Sequence, residues 1–247
     1  MKRLVDFLGS MIGLIFLGPF LLSVAFLVWR QDKHSPFYLA PRVGKSGHLF
    51  IMVKLRSMIV NADKTGVDST SAKDPRITPV GMFIRRYKLD EFTQLWNVWK
   101  GDMSLVGPRP NVKRETDLYT PVEKRLLEVK PGITDFASIV FSDENEILAD
   151  SKDPDVDYNQ LIRPWKSRLG LFYIDHQSIW LDIQLIILTI IATLSRTHAL
   201  AGIKRLLKRL GADQELIQVA SRESTLIPTC PPGSDEIVTT RHKQKTE

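Results

Sequence analysis

Between Met11 and Trp29 the chain runs through MIGLIFLGPFLLSVAFLVW without a single charged residue, and no other stretch restricts the fold as strongly. At about 1.5 Å per helical residue it reaches roughly 28 Å, enough for the hydrocarbon core of a bilayer. Two features argue against a straight crossing. Gly18-Pro19 sits at its middle, where proline removes a backbone hydrogen bond and crowds the preceding turn, at a cost of about 3 kcal/mol. Lys2 and Arg3 precede the run and Arg30 and Lys33 follow it, so the preference for cationic flanks on the cytoplasmic side draws both ends to the same leaflet. A re-entrant hairpin broken at Gly18 and Pro19 meets both conditions; a kinked spanning helix is the alternative, because neighbours can repair the backbone at proline. No small-x-small cleavage site follows the run, which argues against a removable signal peptide.

Composition narrows the partners. The 247 residues are enough for one domain plus extras. Lys and Arg outnumber Asp and Glu by 34 to 28, a net +6 that points to anionic partners without choosing among them. The single cysteine, Cys230, excludes an intramolecular disulfide framework and a four-cysteine zinc site, and the five histidines show no metal-ligand spacing.

After the apolar run, residues 35–58 read as two short strands around Gly44-Lys45-Ser46-Gly47, with Leu49, Ile51, Val53 and Leu55 on one face. Residues 59–78 lose the apolar period and read as a mobile loop that ends in the Asp74-Pro75-Arg76 turn. The densest stretch is VGMFIRRYKLDEFTQLWNVWKGDMSLVGPRP, residues 80–110. There Leu89, Phe92, Leu95, Trp96 and Trp99 recur at three- and four-residue intervals, predicting a short amphipathic helix from near Asp90 to just before Gly101 with these residues on its buried face.

Asp90 and Glu91 occupy the first turn of that helix, where the dipole alone favours acids by a few tenths to about 1 kcal/mol. The surrounding cations add a second reading. Arg85, Arg86 and Lys88 precede the acids, and Arg109 follows between Pro108 and Pro110. Nearby cations keep carboxylates ionised, and a proline-stiffened loop can aim a guanidinium at phosphate oxygens. The cluster therefore suits phosphoryl chemistry. Adjacent helical residues point about 100° apart, so the two acids cannot face each other as a proton-sharing pair, but one can attack or position while the other holds Mg2+.

These residues resemble the bacterial sugar transferases, the monotopic phosphoglycosyl transferases that move a sugar-1-phosphate from a nucleotide sugar onto a polyprenyl phosphate. The resemblance covers about residues 1–195 and rests on KRLVDFLGS, the Pro19-broken apolar run, RVGKSGHLFIMVKLRSM, DPRITPVGMFIRRYKLDEFTQLWNVWKGDMSLVGPRP, KPGITDFAS and SIWLDIQLIILT in order. It implies an α+β monotopic enzyme with a re-entrant helix, a small β-hairpin and amphipathic interfacial helices, at the cytoplasmic leaflet of a bacterial inner membrane. By the same resemblance Asp90 is the nucleophile and Glu91 its partner in Mg2+ binding or proton handling. Lys54, Arg56, Arg85, Pro108, Arg109 and Pro110, which lie inside matched motifs, are the expected substrate contacts. The expected partners are a UDP-sugar, a polyprenyl phosphate such as undecaprenyl phosphate and the inner-leaflet lipids, with oligomeric state left open. The pattern departs from the family at Ala40-Pro41, where glutamine is commonest, and at Asp135 and Ser138; these changes bear on which sugar nucleotide is accepted.

Four segments are expected: a membrane anchor over 1–34, a cytosolic transferase domain over 35–195, a basic amphipathic helix over 196–220 and a disordered tail over 221–247. The apolar stretch 181–194 is too short to cross comfortably and is expected to pack or lie at the interface. Leu200, Ile203, Leu206, Leu207 and Leu210 alternate with Lys204, Arg205, Lys208 and Arg209 as in a helix lying on an anionic surface, with a solvated partner helix as the alternative. Other classes fit less well: a nucleic-acid binder lacks any familiar motif, a phosphohydrolase would not need the lipid anchor, and an inactive membrane scaffold of the same family is the remaining alternative.

Overall fold

The computed structural model describes residues 1–62 and 74–239; most of the loop expected over 59–78 lies outside them. The described chain forms two compact units, Met1–Asp117 with Leu127–Thr134, and Leu118–Leu126 with the chain from Asp135 onward. The expected anchor is thus part of the first unit.

The reason lies in helix α1, Lys2–Asp32, which carries Pro19 inside it and is not divided there. Along it Asp6, Ser10, Leu21, Val24, Ala25 and Val28 are buried, a stripe at helical spacing. Leu21, Val24, Ala25 and Val28 share a core with Leu55, Ile84 and Leu89. Both ends are also tied to the unit by polar contacts. Asp6 accepts from the Ser104 hydroxyl at 2.9 and 3.0 Å and from the Leu105 amide at 3.0 Å, and Lys2 donates to the Val106 carbonyl at 3.0 Å. At the other end Arg56 grips Asp32 with two bonds of 2.6 and 2.7 Å. The opposite face, including Leu4, Leu8, Ile12, Ile15, Phe16, Phe20, Leu22 and Phe26, is exposed. By length and composition α1 is the one helix among the described residues that could cross a membrane.

Strands β1 (Phe37–Val43) and β2 (Leu49–Leu55) pair antiparallel, with Val43 opposite Leu49 beside the turn and Phe37 opposite Leu55 at the far end. The predicted hairpin is present. Its expected apolar face is only partly buried: Leu49 and Ile51 are exposed, whereas Met52 and Ala40, on the other face, pack with Val98 and Met103. Helix α2 (Pro79–Arg86) starts with the Thr78 hydroxyl accepting from the Gly81 amide at 2.9 Å and Pro79 in its first turn.

The single helix expected from Asp90 to Gly101 is two: α3 (Leu89–Phe92) and α4 (Leu95–Lys100). Gly101 ends α4 in the left-handed conformation, φ 102°, as its position suggests. Its inward residues are Leu95, Asn97 and Val98, while Phe92, Trp96 and Trp99 are exposed. This corrects the expected buried aromatic face. Trp99 instead stacks with Trp96 and with Phe7 of α1, at ring separations of 5.0 and 6.3 Å. Strand β3 (Ser104–Val106), helix α5 (Lys113–Thr116) and strand β4 (Gly132–Thr134) complete the unit, β3 and β4 running parallel.

The second unit is helical: α6 (Phe136–Val140), α7 (Glu144–Ile147), α8 (Pro154–Asp157), α9 (Arg163–Asp175), α10 (Ile179–Leu194), α11 (Arg196–Arg209) and α12 (Gln214–Ser221). Asp135 and Ser138 are joined, the Asp135 carboxylate accepting from the Ser138 amide at 2.7 Å and its hydroxyl at 2.6 Å to cap α6. In α11 Leu200, Ile203, Leu206 and Leu207 are buried, packed within this unit, where α11 meets α10 and α12. That apolar face is therefore not available to a lipid surface, and the outward cations accompany a partner helix. The expected helix over 196–220 is interrupted between Arg209 and Gln214. Beyond α12 the chain has no helix or strand through residue 239, yet Gln160 donates to the Val238 carbonyl at 2.6 Å and the Thr229 amide donates to the Gln160 carbonyl at 3.0 Å. Of the tail expected to be disordered over 221–247, residues 240–247 lie outside the described residues, and these two hydrogen bonds join Thr229 and Val238 to Gln160.

Candidate active site

The corner that carries the two acids is built by backbone conformation. Lys88 adopts the left-handed region, φ 51°, between α2 and α3, placing Asp90 and Glu91 in the first turn of α3. Gly81 lets α2 approach β2's extension so closely that a Cβ there would lie 1.8 Å from the Ser57 carbonyl oxygen. Ser57 in turn accepts from Arg85 Nε at 3.0 Å, so the arginine preceding the acids is aimed by a contact that only glycine permits.

The loop after β3 is held by a second close approach. A Cβ on Gly132 would lie 2.1 Å from the Gly107 nitrogen. The Gly107 amide donates to the Thr134 carbonyl and the Gly132 amide to the Pro108 carbonyl, both at 3.0 Å. Pro108 and Pro110 bracket Arg109 on this stapled loop, and Arg109 Nη1 reaches Glu91 Oε1 at 2.8 Å. Lys54, from β2, places Nζ 3.6 Å from Asp90 Oδ2. The Asp90 and Glu91 side chains are 22% and 23% exposed, so neither is sealed from a ligand.

The electrostatics follow from this crowding. Burial pushes the Glu91 carboxyl up, but Arg109, Lys88 and Lys54 outweigh it and hold the group below the usual carboxylate value. Burial lowers the Lys54 ammonium, as do Arg109 and Arg42, against the pull of Asp90 and Glu91. Burial likewise lowers Arg85, with Asp90 and Asp74 opposing. Around the two acids, then, stands a set of cations whose charge is less well solvated than in water and is correspondingly receptive to an anion.

The structure brings Lys54, Arg85, Asp90, Glu91 and Arg109 together. It takes Arg56 elsewhere: that guanidinium is 9% exposed, held bidentate by Asp32 and donating to the Ser35 and Met58 carbonyls at 2.8 and 3.3 Å. Its neighbour Lys54 lies on the strand face that turns to the acids, and strand alternation sends Arg56 with it in sequence pattern only; past the end of β2 at Leu55 that alternation no longer governs. Arg42, the first residue of RVGKSGHLFIMVKLRSM, is not among the expected substrate contacts. Its guanidinium is half-buried and close enough to Arg109 for each to feel the other's charge; the Arg-Val-Gly motif was the signal that could have found it. Gly18 and Pro19 lie within α1 and not in this cluster.

For a metal the donor set is small. Among the described residues no group of three or more His, Cys, Asp or Glu side chains converges. Two adjacent, partly exposed carboxylates suit a hard cation that takes its remaining ligands from water and substrate phosphate, as Mg2+ does, and do not suit a structural zinc site.

Comparison with known proteins agrees with the resemblance to the bacterial sugar transferases. Over 211 residues the chain is 37% identical to "Galactosyl transferase CpsE" of Streptococcus agalactiae, covering 80% of this chain and 43% of that protein. It is 34% identical over 204 residues to "UDP-glucose:undecaprenyl-phosphate glucose-1-phosphate transferase" of Xanthomonas campestris pv. campestris, covering 80% and 40%. With a "Putative undecaprenyl-phosphate N-acetylgalactosaminyl 1-phosphate transferase" of Bacillus subtilis it shares 43% identity over 133 residues, 54% of this chain and 70% of the relative. The chain thus spans less than half the length of the first two. The family model described as bacterial sugar transferase matches residues 1–196, and the chain belongs to that family.

Proposed function

We propose that this chain transfers a sugar-1-phosphate from a UDP-sugar to undecaprenyl phosphate or a similar polyprenyl phosphate, as the first step of a lipid-linked glycan. The observation that carries the reading is the paired arrangement of Lys54 with Asp90 and Arg109 with Glu91, at 3.6 and 2.8 Å, in one partly open cluster. A carboxylate attacking a phosphorus meets repulsion from the phosphate oxygens, and the cations Lys54, Arg85 and Arg109 offset it.

In the first half-reaction an Asp90 carboxylate oxygen attacks the sugar-bearing phosphorus and the bond to the bridging oxygen breaks. UMP leaves with that electron pair, and the sugar phosphate remains on Asp90 as an acyl phosphate. In the second, a phosphate oxygen of the prenyl phosphate attacks the same phosphorus and Asp90 leaves as the free carboxylate. The acceptor is already ionised near neutral pH, so no strong base is required. Glu91, held below the usual carboxylate value by its cations, is poorly matched to a base role and is assigned to positioning Arg109 and to metal binding. Asp90 and Glu91 would hold Mg2+, which when bound neutralises phosphate charge.

The lipid acceptor keeps its tail in hydrocarbon, so the cluster must sit at a membrane surface. Supporting a monotopic placement, α1 is tied to its unit at both ends, by Asp6 and by Asp32, while its other face is exposed and apolar. A helix crossing the bilayer would put those two ends on opposite sides. We assign the cytoplasmic leaflet from the basic flanks.

The test is UMP release by the membrane-embedded protein with undecaprenyl phosphate, Mg2+ and a panel of UDP-galactose, UDP-glucose and UDP-N-acetylgalactosamine. Release with one donor, its loss in Asp90→Asn, and a phosphosugar recovered on the Asp90 peptide are expected. No release with any donor, or an adduct on another residue, would overturn the reading.

A further inference from the structure

Lys54 on β2 and Asp90 on α3 stand 3.6 Å apart, and two other side chains join the backbones that carry them. Thr93 lies at the end of α3 and Asn97 one turn later in α4. The Thr93 hydroxyl lies 2.9 Å from the Val53 carbonyl oxygen and 2.8 Å from the carbonyl oxygen of Asp90 itself, so one donor faces the backbone on both sides of the Lys54–Asp90 pair. Asn97 extends the clasp. Its Oδ1 accepts from the Val53 amide at 2.9 Å and its Nδ2 donates to the Ile51 carbonyl at 2.7 Å. Both side chains are buried, Thr93 at 7% and Asn97 at 1% exposure. Three main-chain groups of β2, the Ile51 carbonyl and both polar groups of Val53, are therefore met by two side chains of the segment that carries the acids.

Local structure alone does not require this. Main-chain groups on a strand edge need partners, but water or any neighbouring strand serves; here the partners come from the one segment whose relation to Lys54 matters. The Asn97 amide, which accepts from the Val53 N–H and donates to the Ile51 carbonyl while Nδ2 also donates to Asp102 Oδ2 at 3.3 Å, fixes the register along the strand, because a one-residue slip would set donor against donor. Resting on the assignment of Asp90 as the reacting carboxylate, we propose that Thr93 and Asn97 are positioning residues: together they clamp Ile51–Val53 of β2 to α3 and α4 and so hold the Lys54 ammonium against Asp90 for the chemical step.

The experiment uses the full chain in membranes, with UMP release as the assay. Thr93→Val keeps the shape and deletes the donor, whereas Thr93→Ser keeps the donor and deletes the methyl. We expect Thr93→Val to lower kcat by about ten- to a hundredfold, the scale of a small misplacement of reacting groups, with KM for the UDP-sugar within about twofold. Thr93→Ser should recover kcat to within about threefold of the parent. Lys54→Met combined with Thr93→Val should lose no more than Lys54→Met alone, since the clamp acts through that lysine. Asn97→Asp, which cannot donate to Ile51, gives the same pattern wherever it folds by thermal melt. The inference is overturned if Thr93→Val leaves kcat unchanged, if Thr93→Ser falls as far as Thr93→Val, or if the Lys54 and Thr93 losses multiply independently. Asp90→Asn separates the two readings: its full retention of UMP release would sink the assignment of Asp90 and the clamp with it, whereas its inactivity beside an unaffected Thr93→Val sinks the clamp alone.

Discussion

Glu91–Arg109 in the first unit and Glu123–Arg163 in the second use the same two functional groups to opposite ends. Glu123 is fully buried, and both its oxygens are occupied: Arg163 at 2.6 Å and the Thr120 amide at 3.0 Å on one, Ser167 at 2.7 Å on the other. Nothing is left with which to meet a ligand. Glu91 is 23% exposed and stands beside a second carboxylate and further cations. An ion pair of complete coordination holds a fold together, while one of incomplete coordination in a crowd of charge retains capacity for a substrate.

That contrast can be broken from either side. The largest effect should come from Asp90→Asn, which removes the nucleophile: UMP release is expected to fall by at least about a thousandfold, equivalent to roughly 4 kcal/mol of barrier, with the melting temperature unchanged. Next comes Glu123→Ala. It leaves Arg163 buried without its carboxylate and should cost about 3–5 kcal/mol of stability, read by denaturant unfolding, while the molecules that remain folded keep their turnover. If Glu123→Ala were instead stable and inactive, the second unit's cluster would belong with the functional one. Arg109→Lys tests whether the planar fork matters: an ammonium lacks the fixed, five-donor geometry with which a guanidinium can meet Glu91 and a phosphate together, so kcat/KM should drop by about ten- to a hundredfold with little change in stability.

The smallest effect concerns the pair that left the site. Arg56, hydrogen-bonded to Asp32, holds that carboxyl well below its ordinary 3.8, at about 2. A carboxyl lowered on folding stabilises the native state above its unfolded pKa, and that contribution is lost as pH falls through the folded one. Stability should therefore decline between about pH 4 and pH 2, the difference between the parent and Arg56→Met should narrow below that window to what the Ser35 and Met58 carbonyl contacts contribute, and turnover at neutral pH should change little for the protein that remains folded. A large loss of turnover in folded Arg56→Met would return Arg56 to the substrate contacts.

Much of this site could be seen in sequence because its signals are local. The Gly44–Gly47 turn, the Gly101 stop and the two acids after a basic stretch all depend on residues within a few positions of one another. What escaped depends on distant partners. Phe92, Trp96 and Trp99 have the spacing of a buried stripe, but the inward side of α4 packs with Met52 and Ala40, and the aromatics are left facing out, Trp99 beside Phe7. The apolar face of α11 has the pattern of a lipid-surface helix and is buried within its own unit. Amphipathic spacing reports that a face will be covered and is silent about what covers it.

Sequence alone determined that this chain has an uncharged membrane-length segment, a basic approach to adjacent acids and the motif order of one family, because composition and short-range spacing are properties of the chain itself. Tertiary structure decided which cations meet which acids. Lys54 and Arg56 stand two positions apart, and only packing sends one to Asp90 at 3.6 Å and the other to Asp32 at 2.6 Å. Electrostatic attraction acts through space over a few ångströms, and that distance is unrelated to separation along the chain.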